Sequence, residues 1–309
     1  MNIRIAIATL LSCAAFQAVS AQSYQLHEIN DGIPYSANPN PFSINSQGKI
    51  VIQTYPDSGP QLAYLFEDGV TAQIAGQPND QFFGINNSGT LVGYGDNGGF
   101  VQSSSGVQTL IQNPAGDLPF PSNISNSGVV VGTVFPSSGD FYGFTWKNGQ
   151  FTPHVLPGTY GSLNGVNSSG TLVGTYYAPD DFSQYYGFIE RNGVVSPLVI
   201  ANCINPTPIT INDRGVIVGS ANQSAFPHTI GFVRNPSGST TLIDYASSAP
   251  QTMPGPSGPM PLLWYSNDTI VYSVNNRGQI VGRFRGTYSD GVNHVSVIIP
   301  FIGDPVQHP

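Results

Sequence analysis

The sequence predicts an all-β fold, a six-bladed β-propeller of four-stranded antiparallel blades. Three observations carry that expectation: one short phrase returns six times, an aromatic phrase accompanies it, and the two chain ends hold complementary fragments of one repeat. Repeats at this period belong to propeller blades or solenoid turns, so an open β-solenoid of the same repeats is the alternative.

The chain has 309 residues, with 36 Gly and 26 Pro but only 9 Lys+Arg against 17 Asp+Glu. Charged residues make up 8%, where a soluble domain carries about 25%. Aromatics at 11% supply the apolar surface of a packed core, which argues against disorder. A net charge of -8 excludes the basic footprint that nucleic acid requires.

The elements follow in chain order. Met1 to Arg4 make a short positive start, Ile5 to Ala15 are almost wholly apolar, and Val19-Ser20-Ala21 offers small residues at a cleavage position. Residues 1–21 therefore read as a secretory signal peptide, and 22–309 as a single repeat domain that is released from the cell. The alternative is a lipid anchor, because Leu10-Leu11-Ser12-Cys13 resembles a bacterial lipoprotein box. Only Cys203 remains after cleavage at Ala21, so no intrachain disulfide is expected. No later apolar run is long enough to span a membrane.

Tyr24 to Ile29 read as a strand. The recurring phrase comes next: Ile44-Asn45-Ser46-Gln47-Gly48, then Ile85 to Gly89, Ile124 to Gly128, Val166 to Gly170, Ile211 to Gly215 and Val274 to Gly278. Its glycines lie 41, 39, 42, 45 and 63 residues apart, the last gap being stretched by a Pro-rich insertion at 246–261. Asn favours the first position of a type I turn and Gly the last. Asn45 and Gly48, Asn86 and Gly89, Gly128, Asn167 and Gly170, Asn212 and Gly215, and Asn275 and Gly278 are accordingly read as tight hairpin turns. Five copies continue apolar-Val-Gly, as in Leu91-Val92-Gly93, whereas the first has Ile52 in place of the glycine. Aromatic strands such as Tyr142-Gly143-Phe144-Thr145-Trp146 and Tyr186-Gly187-Phe188-Ile189 follow, each turning at a pair such as Asn148-Gly149 into a fourth strand.

The ends decide between ring and stack. Tyr24 to Ile29 are a fourth strand without its first three, and the chain finishes on Asn275 to Phe284 and His294 to Phe301, a blade without its fourth. If the first strand completes the last blade, 24 strands make six blades and no sheet edge stays exposed.

Gly84-Ile85-Asn86-Asn87-Ser88-Gly89-Thr90-Leu91-Val92-Gly93 and Gly165 to Gly174 resemble the bacterial extracellular HAF repeat, whose pattern runs Gly-Ile-Asn-Asn-x-Gly-x-Val-Val-Gly and later His-Ala-Phe or His-Gly-Phe. The resemblance covers nearly all of the mature chain, although no copy here has His before Gly-Phe. It implies an exported, propeller-like bacterial protein and no mechanism.

In such blades the uniformly short turns lie at one end and the variable loops at the other, so binding is expected on the variable face. Ten of the 17 acids fall there, and six of the eight basic residues after the signal (Lys49, Lys147, Arg191, Arg214, Arg234 and Arg277) fall on the tight-turn side. Asp57, Asp96, Asp140, Asp180 or Asp181, and Asp290 occupy the second-to-third loops of five blades, where a ring of carboxylates would attract cations or hydroxyl-rich ligands. Ca²⁺ suits such oxygen ligands, but no calcium-binding loop pattern is present and no cofactor is expected. Tyr176, Tyr177 and Trp264 are the loop aromatics singled out as ligand platforms.

The five histidines are scattered, with His27 and His154 in fourth strands where a structural role is expected, and no nucleophile-elbow, metalloprotease or Cys-x-x-Cys motif occurs. The expected function is thus a secreted, non-catalytic binder of an extracellular glycan or protein. A secreted carbohydrate hydrolase or lyase that uses loop aspartates is the alternative.

Overall fold

The computed structural model describes residues 22–306 apart from 30, 78, 138, 155, 157–159, 179–180, 225–227, 246–251, 256–257, 262 and 290–293. Residues 1–21, on which the signal-peptide and Cys13 lipid-anchor readings fall, lie outside the described residues.

The chain forms six four-stranded antiparallel sheets, the blades of a propeller. Blade 1 comprises Pro39–Ile44, Ile50–Thr54, Ala63–Glu67 and Val70–Gln73. Blade 2 comprises Gln81–Ile85, Leu91–Gly95, Gly98–Gln102 and Gln108–Leu110. Blade 3 comprises Pro119–Ile124, Val130–Val134, Tyr142–Lys147 and Gln150–His154. Blade 4 comprises Gly161–Val166, Leu172–Ala178, Asp181–Arg191 and Val194–Pro197. Blade 5 comprises Cys203–Ile211, Ile217–Gln223, Thr229–Arg234 and Thr240–Ile243.

Blade 6 takes Leu263–Val274, Ile280–Ser289 and His294–Pro305 from the end of the chain. Its fourth strand is the N-terminal Tyr24–Glu28, paired antiparallel from Tyr24 opposite Pro305 to Glu28 opposite Phe301. The ring is closed as the complementary ends require, and the open solenoid is excluded. Within the Pro-rich insertion, Thr252–Gly255 and Gly258–Pro261 pair as a small antiparallel hairpin outside the blades.

Two glycines of the repeat have separate packing reasons. The glycine of apolar-Val-Gly stands opposite the aromatic of the third strand: Gly93 faces Phe100, Gly132 faces Phe144, Gly174 faces Phe188, Gly219 faces Phe232 and Gly282 faces Phe301. All five rings are at most 2% exposed, and those of Phe100, Phe144, Phe188 and Phe301 stand within 3.0 Å of where a Cβ on the facing glycine would be. Blade 1 departs from this by placing Ile52, not a glycine, opposite Tyr64. The glycine of Gly-Phe instead lets the next blade approach: a Cβ on Gly187 would meet the Pro206 carbonyl oxygen and stand 3.0 Å from Pro208.

Every first strand also shifts register just before its turn, after Pro41, Phe82, Pro121, Leu163, Pro208 and Val271, and those of blades 5 and 6 shift a second time further from it. A bulge inserts one extra residue and re-aims its side chain. The residues so displaced are Phe42, Phe83, Ser122, Asn164, Ile209 and Tyr272, and this repeated irregularity was not legible as periodicity.

His154, in a fourth strand, holds Glu190 of the next blade at 2.6 Å, with side chains 21% and 10% exposed. The structural role expected of this histidine is met. His154→Ala should strand the Glu190 carboxylate and destabilise the fold by about 1–3 kcal/mol, whereas Glu190→Gln should cost less because the imidazole retains a partner. Urea unfolding of both variants checks the order, and an unchanged midpoint for His154→Ala would refute the pairing as a stabilising contact.

Candidate functional site

The tight turns lie against one another around the central axis. In blade 1 the Asn45 Oδ1 accepts from the backbone N–H groups of Gln47 and Lys49 at 3.0 Å, an Asx turn that explains the first residue of the phrase. Gly48 closes the turn at φ 91°, a left-handed backbone that L side chains avoid.

The amide of the same asparagine serves a second purpose. Asn45 Nδ2 donates to the carbonyl of Asn86 at 3.2 Å, Asn86 to that of Ser125 at 3.4 Å, Asn167 to Asn212 at 3.2 Å, Asn212 to Asn275 at 2.9 Å and Asn275 back to Asn45 at 3.0 Å. Five of six blade junctions are thus spanned by the amide of the asparagine that opens the turn. Ser125 keeps the turn, accepting from Val129 N–H at 3.0 Å, but has no amide to reach Asn167.

Asp213 reinforces that same sector. Its carboxylate accepts from Ser168 N–H, Asn126 Nδ2 and Asn276 Nδ2, each at 2.8 Å. Burial pushes Asp213 up, but these hydrogen bonds outweigh it and hold its carboxyl below the ordinary carboxylate range. Beneath the ring a cavity of about 40 Å³, lined by Ser43, Asn123, Thr210 and Ser273 among others, has room for a few waters and not for a sugar. This end of the channel is a plug, which leaves the variable-loop end for larger ligands.

The acids placed on the variable face divide into structural and exposed ones. Asp80 is buried, taking Gln77 N–H and Gln108 Nε2 at 2.7 Å. Asp31 is buried and accepts from Ile33 N–H at 2.8 Å, while burial raises its pKa. Asp57, Asp96 and Asp140 are exposed on three different blades. Asp180 and Asp290 lie outside the described residues, and Asp181 and Trp264 lie in strands of blades 4 and 6.

Two features converge on this face. The first is an aromatic band across blades 3 and 4: Phe135 and Phe141 have ring centroids 5.6 Å apart, Phe141 and Tyr160 5.0 Å, Phe141 and Tyr177 6.1 Å, and Tyr177 and Tyr185 5.9 Å. Phe135 is 60% exposed. Asp140 accepts from the Tyr160 hydroxyl, which raises the pKa of that tyrosine. Tyr177 and Asp140 therefore belong to one band. Tyr176 packs instead toward Tyr186 and the buried Phe188, at 5.7 and 6.1 Å.

The second feature is a pocket of about 540 Å³ where blade 6 meets blade 1, lined by Phe42, Tyr55, Tyr272, Asn40, Arg283 and Arg285 among others, with Asp57 at its edge. Burial pushes the Tyr55 hydroxyl up to about 12 and raises that of Tyr272, so both phenols are neutral at ordinary pH. In a six-bladed ring this junction faces the blade 3–4 junction across the axis. An aromatic arc of Phe120, Phe83, Phe42 and Tyr272, with successive centroids 5.0, 5.5 and 5.0 Å apart, runs from blade 3 through blades 2 and 1 to blade 6.

Sequence reasoning singled out neither arginine. The signal was available at one repeat position: where the other blades have Gln53, Tyr94, Thr133, Thr175 and Ser220 after the Val-Gly position, blade 6 has Arg283. Among the described residues no group of three His, Cys, Asp or Glu side chains is placed to hold a metal ion, and no helix is long and apolar enough to cross a membrane.

Neither a protein-family model nor a curated protein sequence matches this chain. Solved structures resemble it in shape. A calcium-binding protein, regucalcin, from Agrobacterium tumefaciens aligns over 94% of this chain and 96% of its own, at 9% identity and a TM-score of 0.49. The Aleuria aurantia lectin in complex with Fucα1-6GlcNAc aligns over 89% and 99%, at 10% identity and a TM-score of 0.47. Likenesses this distant bring neither a ligand nor an activity to this chain.

Proposed function

We propose that this chain is a secreted bacterial binding protein that holds an extracellular polysaccharide on its variable-loop face, without cleaving it. The observation that carries the reading is the aromatic band of Phe135, Phe141, Tyr160, Tyr177 and Tyr185, whose rings run across two blades with a carboxylate beside them. Aromatic faces next to hydrogen-bonding groups suit the apolar faces and hydroxyls of sugar rings. The signal-like N-terminus and the HAF-like repeats support export. The opposite end of the channel is filled by turns, which favours one binding face over two.

A glycan array probed with the mature protein, in Ca²⁺ and in chelator, tests this reading. Retained glycans should be recovered intact, and Phe141→Ala or Tyr177→Ala should weaken binding at least tenfold, about 1.4 kcal/mol. A shortened glycan would favour the hydrolase or lyase reading. Loss of signal in chelator would give Ca²⁺ a part, and a blank array with a protein partner captured instead would replace the polysaccharide.

A further inference from the structure

Arg283 lies in the pocket between blades 6 and 1 as a cation without a counterion. Its Nη1 donates to Asn40 Oδ1 at 2.6 Å and its guanidinium carbon stands 5.8 Å from the Tyr272 ring centre. Its Nε is shut away from solvent with no acceptor, and among the described residues no carboxylate pairs with it. Arg285, two residues on along the same strand, is satisfied by Asp268 at 2.6 Å. Burial pushes Asp268 up, but Arg285 and Thr229 outweigh it and keep this carboxyl low, so the pair is ionised.

A guanidinium partly withdrawn from water and left unpaired is unfavourable. Nothing in the repeat requires it, since five blades fill the position with uncharged residues. In a chain of net charge -8 it is also against the prevailing sign. The group is held in place by Asn40 and Tyr272, which fixes its plane before any ligand arrives, and fixed guanidinium planes match carboxylates through paired hydrogen bonds. The pocket of about 540 Å³ is in the usual size range of roughly 300–1,000 Å³ for small-ligand sites. Phe42, Tyr55 and Tyr272 give it ring-sized apolar walls.

We infer that this pocket is a subsite for a carboxylate-bearing sugar, a uronic acid unit whose carboxylate pairs with Arg283 while its ring lies against the aromatic walls. This rests on the polysaccharide reading above and names the class of sugar. Asp57 at the rim and the acidic loops around it set the sign of the selectivity: they disfavour densely charged anions and leave one carboxylate at a time to be accepted at the arginine.

The test is calorimetric titration of the mature protein with a uronate oligosaccharide, with the same oligosaccharide reduced to its neutral sugar, and with a sulfated neutral one. Wild type should bind the uronate at least tenfold more tightly than the neutral counterpart. That preference should weaken as salt rises. Arg283→Gln, which places in blade 6 the residue blade 1 already carries, should fold with a melting temperature no lower than that of wild type and lose the preference, and Arg283→Lys should keep part of it. Equal affinity for uronate and neutral sugars, a preference that survives Arg283→Gln, or tighter binding of the sulfated sugar would each overturn the inference while the polysaccharide reading stands. Binding of no sugar at all would overturn both.

Discussion

Gly174→Ala should lower the melting temperature by about 6–12 °C, a loss of roughly 3 kcal/mol at about 2–4 °C per kcal/mol in a domain of this size. A Cβ on Gly174 would fall on the carbonyl oxygen of Ser162 and stand 2.9 Å from Cε1 and Cζ of Phe188. Phe188 is fully buried, so its ring has nowhere to rotate. Ser162 is in the first strand, paired with Thr175 just before the bulge, and cannot yield without breaking the ladder. Overpacking of this kind is absorbed only by backbone movement. Blade 1 supplies the opposite control, because Ile52 is fully buried at the matching position and Ile52→Gly should leave a cavity, costing at least the 2–5 kcal/mol of an Ile→Ala change. Differential scanning calorimetry of both variants is decisive: a fall below about 2 °C for Gly174→Ala would show that the glycine is not a packing requirement.

That pair of substitutions marks the boundary of what the sequence discloses. The turns, the blade count and the closure by Tyr24–Glu28 were readable because they are local or terminal: Asn-x-x-Gly writes its own turn, and a missing strand at one end matches a spare one at the other. The reason for each glycine was not readable, since it depends on which aromatic lies across the strand. The site was harder still. Loop position was enough to put Tyr177 and Asp140 on the same end of the ring, but not to tell Asp31 and Asp80, folded back into their loops, from exposed Asp57. Arg283 shares its pocket with Phe42 and Tyr55, more than 200 residues earlier, only because the ring brings blade 6 against blade 1. Phe42 and Tyr272, with ring centroids 5.0 Å apart, are each the extra residue of a bulge, and a bulge leaves no trace in hydrophobic alternation.

The amide ring joins these levels, because its asparagines were readable as turns but act as ties between blades. Asn275 is the tie that closes the circle. It is 3% exposed, its Oδ1 accepts from Arg277 and Gln279 N–H at 3.0 Å, and its Nδ2 donates to Asn45 O at 3.0 Å and to Gln279 Oε1 at 2.9 Å. Asn275→Asp keeps both acceptor bonds and sets an oxygen against those of Asn45 and Gln279. A buried carboxylate facing acceptors should cost about 2–4 kcal/mol at neutral pH. Its pKa must then rise above the value of about 3.9 in the unfolded chain. The native state therefore binds the extra proton, and the penalty shrinks as pH falls through the raised pKa, where the protonated carboxyl again donates to Asn45. Thermal melts of wild type and Asn275→Asp should accordingly lie far apart at pH 8 and draw together toward pH 5. Asn275→Ala, which loses turn and tie alike, should show a gap that does not narrow. A constant gap for the aspartate variant would mean that the donation across the junction contributes nothing. The converse change exists at the one untied junction: Ser125→Asn should supply the missing donor to Asn167 and stabilise the ring by about 0.5–1.5 kcal/mol, since the same turn in the neighbouring blades already holds an asparagine without strain.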